Sequence, residues 1–194
     1  MQEAGRTGVG ARRRRADEEG SPLAEQAPKM PEPVRLRVDY RAEVVRRLER
    51  RGVTLRDIAE IVRTIQEKYV PGITLEQCEA SVEAVIAKRE VQHALLTGIA
   101  LDEAAEQGLL EEPLLSILRT DEPLYGVDEV LALAITNVYG SIGLTNFGYL
   151  DKVKLGVIER LNNQKSQGRV QTFLDDLVAG VAAAAAARIA HNEP

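Results

Sequence analysis

Six consecutive alanines, Ala182–Ala187, stand near the end of the chain, directly after Ala179, Gly180 and Val181. Alanine has the highest helix propensity of any residue and too little side chain to favour a sheet. The run therefore predicts a helix over about residues 172–190, with a surface smooth enough for another helix to approach its backbone closely. Such a helix has no bulk of its own, so its neighbours must supply the core. Aromatic residues make up only 4% of the sequence and tryptophan is absent, which leaves that role to Leu, Ile and Val. The expected fold class is all-α, a compact multi-helix domain.

A chain of 194 residues with 44% apolar and 28% charged residues holds one sizeable domain plus a tail. Residues 1–33 are rich in Gly, Pro, Glu and Arg and carry no hydrophobic period. Such a segment buries too little surface to offset its ordering entropy, so a disordered tail is expected, followed by a single helical domain over 34–194. Arg12–Arg15 in that tail are cancelled at once by Asp17, Glu18 and Glu19, which reads as a solvated charge block. A net charge of −5 gives no attraction to nucleic acid. One cysteine, Cys78, excludes an internal disulfide and suits a reducing, cytoplasmic compartment. No apolar run approaches the ~20 residues that span a bilayer, and no secretory signal follows the arginines. The expectation is a cytoplasmic protein with no transmembrane segment.

The front half reads as scaffold. Gly-Val-Thr-Leu from Gly52, Gly-Ile-Thr-Leu from Gly72 and Gly-Ile-Ala-Leu from Gly98 each place a glycine where a left-handed residue ends one helix before the next begins. Thr54 and Thr74 are then N-caps, with Asp57 and Gln77 three residues on in the capping-box position. Helices are predicted over 39–51, 54–69, 74–96 and 101–108. Leu55, Ile58, Ile61, Val62 and Ile65 form one apolar stripe on the second. His93 and His191 are isolated, and Cys78 reads as a small core residue.

The back half, with helices predicted over 126–138, 145–162 and 172–190, puts charge where apolar residues belong. Lys154 falls on the stripe set by Phe147, Leu150, Val157, Ile158 and Leu161, with Asp151 one turn before it. Asp175 has a structural account as the third residue of a capping box begun by Thr172, but Asp176 sits among Leu174, Leu177, Val178 and Val181 with none. Asp128 and Glu129 repeat the pairing at another helix start, where the helix dipole also favours them. Five acids and one lysine on three consecutive helices point to a cation site. Oxygen ligands without His or Cys favour Mg2+ over zinc, and a metal beside a lysine is a natural reader of phosphate. The loop from Tyr139 to Asn146 offers backbone donors and the Asn146 side chain as a further binding group.

The order Asp128-Glu129, then Phe147-Gly-Tyr-Leu-Asp151-Lys-Val-Lys154, then Asp175-Asp176-Leu-Val-Ala-Gly180 resembles the phosphatidylglycerophosphatase A family over about residues 120–190. The resemblance is closest to the soluble bacterial branch. It implies an all-helical fold, Mg2+ dependence and removal of phosphate from phosphatidylglycerophosphate or a related phosphomonoester, met at the membrane surface if it is a lipid. By position, Asp128, Glu129, Asp151, Asp175 and Asp176 would be acidic catalytic and metal residues, with Lys154 facing phosphate. The Pro-Gly-Thr element that membrane-bound members carry before the Asp-Glu pair is missing from this sequence. The alternative is accordingly a non-catalytic helical binding or regulatory protein on the same fold. A homo-oligomer packed through the Ala-rich helix is left open.

Overall fold

The computed structural model describes residues 39–164 and 168–192, so the expected tail lies outside the described residues. Helices α1 (Arg41–Arg50), α2 (Leu55–Gln66), α3 (Leu75–Ile86), α4 (Arg89–Gln107), α5 (Leu114–Thr120), α6 (Val127–Thr136), α7 (Gly140–Val153), α8 (Val157–Gln164) and α9 (Leu174–Asn192) follow one another, with a 3-10 turn at Asn137–Tyr139. The fold is all-α, with no strand among the described residues.

The alanine run does what its composition predicts. α9 is buried on every side from Leu174 to Ala187, and the aliphatic side chains of α2, α3, α4, α6, α7 and α8 close around it. Backbones approach as closely as the small residues allow. A Cβ on Gly180 would stand 3.1 Å from the Ala132 carbonyl oxygen of α6. On another side of α9, Ser81 Oγ of α3 donates to Ala185 O at 2.9 Å.

The front half is built as its caps predict. Both capping boxes form, Thr54 with Asp57 and Thr74 with Gln77, and Gly52 and Gly72 have φ of +80° and +82°. Gly98 corrects the pattern. The predicted 74–96 helix divides instead at Ala87–Lys88, where Gln92 Nε2 donates back to Ile86 O at 3.1 Å. α4 then runs unbroken through Gly98. The glycine is there for space, since a Cβ would come within 2.4 Å of Leu177 Cδ1 and 2.9 Å of Phe173 Cβ. α5 was not predicted from the sequence.

The predicted 145–162 helix also divides. α7 ends at Val153, and Lys154 takes a left-handed conformation (φ +51°) with its N–H bonded to Leu150 O at 2.8 Å. Lys154 therefore does not lie on a continuous apolar stripe; it terminates a helix. The bilayer expectation changes as well. By length and composition Val127–Val153 is long and apolar enough to cross a membrane. Its scattered Thr, Asn and Ser residues break the apolar run, yet no charge lies between Glu129 and Asp151 to lower its mean hydropathy. The segment is divided at Gly140 (φ +70°, ψ −160°), and both halves pack on α9.

Candidate metal centre

The site is assembled by the way α6 and α7 lie on α9. Asp128 meets Asp176 at one end of α6, Ala132 meets Gly180 midway, and Tyr139 O faces His191 Nε2 (3.3 Å) beyond its other end. α6 thus runs alongside α9, and α7 returns in the opposite sense. The first turns of α6 and α9 and the last of α7 therefore converge. At that end a cavity of about 190 Å³ is lined by Asp128, Glu129, Asp151, Lys154, Asp175 and Asp176 together with the 121–126 segment.

Within it the groups divide into two sets that share Asp176. Asp128, Glu129 and Asp176 each bring a carboxylate oxygen within 4.8 Å of the other two, the spacing of a group able to hold a metal ion. Asp128 Oδ1 and Glu129 Oε2 are buried and have no hydrogen-bond partner, which is costly unless a cation fills the gap. The donor set, all hard oxygen, fits a Mg2+-like ion. In the second set Lys154 Nζ lies 2.8 Å from Asp151 Oδ1, 3.2 Å from Asp176 Oδ1 and 3.4 Å from Asp175 Oδ2.

Electrostatics follow from burial. Removal from water pushes the Asp128 carboxyl up to about 7, helped by the adjoining Glu129 carboxylate. Burial and the Asp175 charge push Asp176 up to about 8, against the pull of Lys154. Burial alone would lower the Lys154 ammonium, but Asp175, Asp151 and Asp176 outweigh it and raise it above the ordinary lysine range. The dipoles of α6 and α9 favour carboxylates at these N-termini, yet desolvation dominates.

Backbone strain gathers at the same place. Among the described residues the non-glycine positions with left-handed φ are Asp121, Leu124 and Lys154, and all three line this cavity. Strained conformations of this kind persist where surrounding structure holds them, and they cluster at functional sites.

Two placements differ from the sequence reading. Asn146 does not line the acidic cavity; it lines a groove between α2 and α7. Thr172 does not open a capping box with Asp175, because its hydroxyl donates to Leu118 O at 2.8 Å. The cap of α9 comes from Asp102 of α4, which is fully buried and accepts from the N–H groups of Phe173 (3.1 Å) and Leu174 (3.0 Å). Sequence reasoning missed Asp102. Its signal was a charge continuing the Val91-Leu95-Ile99 stripe, hidden by reading Gly98 as a helix end. The loop before α9 is tied down by buried Arg51, which bonds Glu106 at 2.8 Å, Gln171 Oε1 at 2.9 Å and the Val170 carbonyl.

Fold and site together define an all-helical protein with a buried carboxylate group able to hold a metal ion beside a lysine. Residues 57–191 match Phosphatidylglycerophosphatase A, and the chain belongs to that family. It is 60% identical over 145 residues to the uncharacterized protein YpjQ of Bacillus subtilis, covering 75% of this chain and 81% of that one. A structure of a protein of unknown function from Bacillus stearothermophilus superposes with a TM-score of 0.80 at 55% identity, over 82% of this chain and 98% of the other. The low temperature requirement C protein of Listeria monocytogenes does so with a TM-score of 0.77 at 54% identity, over 79% and 96%. Family membership points to phosphatase-like chemistry.

Proposed function

We propose that the protein is a Mg2+-dependent phosphomonoester hydrolase acting on phosphatidylglycerophosphate or a related phosphomonoester. The observation that carries this reading is the pair of orphaned, buried carboxylate oxygens on Asp128 and Glu129, within reach of Asp176 and beside Lys154. Asp128, Glu129 and Asp176 would hold the ion, whose chemistry is to polarise a phosphoryl oxygen and lower the pKa of a water. Lys154 presents its ammonium to the phosphate and offsets the negative charge that develops on it. Asp151, one turn earlier on α7, keeps that ammonium aimed into the cavity. Asp175 shares the same lysine, and its Oδ1 accepts from the Asp176 N–H at 3.1 Å, which fixes the turn carrying both acids. Leu124, fully exposed on the rim, and the half-exposed Val127 set apolar surface beside the carboxylates. That pairing suits a phosphomonoester carried on an amphiphile.

The second reading is a helical binding protein without catalysis. It is favoured by the engagement of Lys154 with three aspartates, an arrangement equally typical of a structural ion network. Phosphate release from a panel of phosphomonoesters including phosphatidylglycerophosphate, with and without Mg2+, separates the two. Hydrolysis that needs the metal and is lost in Asp176→Asn supports the enzyme. Binding of phosphate with no turnover of any substrate supports the binder.

A further inference from the structure

The acidic cavity contains two carboxylate sets, and only one of them is given a cation by the chain itself. In the set of Asp128, Glu129 and Asp176, the oxygens Asp128 Oδ1 and Glu129 Oε2 are buried without a hydrogen-bond partner, and Asp128 is only 8% exposed. In the set of Asp151, Asp175 and Asp176, no buried oxygen is left in that state. The Lys154 ammonium stands among all three, at 2.8, 3.4 and 3.2 Å. Asp176 belongs to both sets, so the two cation positions are neighbours joined by a shared carboxylate.

An ammonium and a small divalent ion ask for the same surroundings, several carboxylate oxygens gathered around a compact charge. Two-metal phosphatase sites have this plan, with cations about 4 Å apart clamping the phosphoryl group between them. Here one of the two positions is taken by a side chain. Lys154 has φ +51°, a conformation that glycine adopts freely and a side chain does not, and it ends α7 where glycine is the common residue. Glycine would serve the helix end better, so what explains a lysine there is its ammonium.

The position is also within reach of solution. Asp175 and Asp176 are nearly fully buried beneath the ammonium, whereas the side chains of Lys154 and Asp151 remain 25% and 39% exposed. All four line the cavity. An ion in solution can therefore reach the three aspartates once the lysine side chain is gone.

We propose that the cavity takes one metal ion, that the Lys154 ammonium is its fixed second cation, and that deleting this side chain opens a second metal site on Asp151, Asp175 and Asp176. The inference rests on the metal reading of the proposed function and adds to it the number of ions and the group that stands in place of the second. Part of the site's positive charge then never dissociates. Dependence on Mg2+ follows a single binding step, since the other cation belongs to the chain.

Mn2+ is the probe, with the free ion counted by electron paramagnetic resonance as the full chain is titrated. The wild type should bind one ion, with the spectrum of an isolated Mn2+. Lys154→Gly removes the ammonium and suits the left-handed backbone. It should bind two ions, a doubled stoichiometry, with the spin-coupled spectrum of ions joined by a shared carboxylate. Lys152→Ala removes an equal charge from an exposed position two residues earlier and should bind one. Two ions in the wild type, or fewer than two in folded Lys154→Gly, overturn the inference and leave the metal reading standing. So does a second ion without spin coupling, or one that Lys152→Ala gains as well. A Lys154→Gly protein that circular dichroism shows unfolded even in saturating Mn2+ also overturns it, because an ion in the lysine's place restores the charge balance. A wild type that binds no Mn2+ removes the metal reading itself, and the inference with it.

Discussion

The helices up to Gln107 and those from Val127 onward meet the same physical demands in opposite ways. In the first region the starts and stops of α2 and α3 follow local rules, although Arg51, Gln66 and Asp102 are buried there as well. Thr54 and Thr74 cap their own helices, glycines end them, and apolar stripes face inward. In the second, Asp128, Asp175 and Asp176 are buried, α9 borrows its cap from α4, and a lysine takes the left-handed position usually given to glycine. Departures that accumulate in one place, at a cost to local stability, mark function rather than scaffold.

The largest expected effect tests whether the departures are held together by charge. Lys154→Met leaves Asp175 and Asp176, both nearly fully buried, without their cation. Breaking such a group should cost on the order of 3–5 kcal/mol in urea unfolding of the metal-free protein above pH 8, where Asp176 carries its charge. Added Mg2+ should restore part of that loss. A variant as stable as the wild type would mean that the three aspartates do not need the lysine, and the contrast between the regions would weaken.

A second comparison sets a borrowed cap against a local one. Asp102→Ala removes the acceptor for two buried N–H groups, and a loss of about 3 kcal/mol is expected with a weaker response to metal. Thr54→Ala removes a local cap and should cost about 1 kcal/mol with the metal response intact. Equal losses and equal metal responses in the two variants would erase the distinction.

These two caps also show what was legible in the sequence. Thr54 and Thr74 were readable because a capping box closes within four residues. That the six charged residues belong together was readable because each breaks or borders an apolar period, and the structure places all six on the lining of one cavity. Asp102 was not, since its partners lie 71 and 72 residues away and Gly98 imitates a helix end. The left-handed turn at Lys154 was equally hidden, because nothing local favours it: the site's geometry imposes it. Asn146 was assigned to the site by nearness in sequence, and α7 instead carries it away along the axis of α9.

A smaller effect concerns pH. Burial holds the carboxyls of Asp102 and Asp176 up to about 8 and that of Asp128 up to about 7, against about 3.9 in an unfolded chain. The folded metal-free protein therefore binds more protons than the unfolded one between these limits. Its stability should be greatest near the lower limit, as far as these groups contribute, and fall as pH rises through 7 to 8. Saturating Mg2+ should flatten the upper part of that slope by replacing protons on Asp128 and Asp176. Urea midpoints across the range check both parts, and stability rising over the same window would contradict the burial argument.

The most direct test of a site maintained at the cost of stability is thermal unfolding of Asp128→Asn at pH 8, with and without Mg2+. Asp128 has a buried oxygen with no partner, and asparagine keeps its size while removing the charge. Without metal the variant should melt at or above the wild-type temperature. With metal the wild type should gain stability as ligand binding to the native state requires, and the variant should not. A variant that melts lower than the wild type in the absence of metal, and rises as much as the wild type in its presence, would show that Asp128 is part of the scaffold and not a metal ligand.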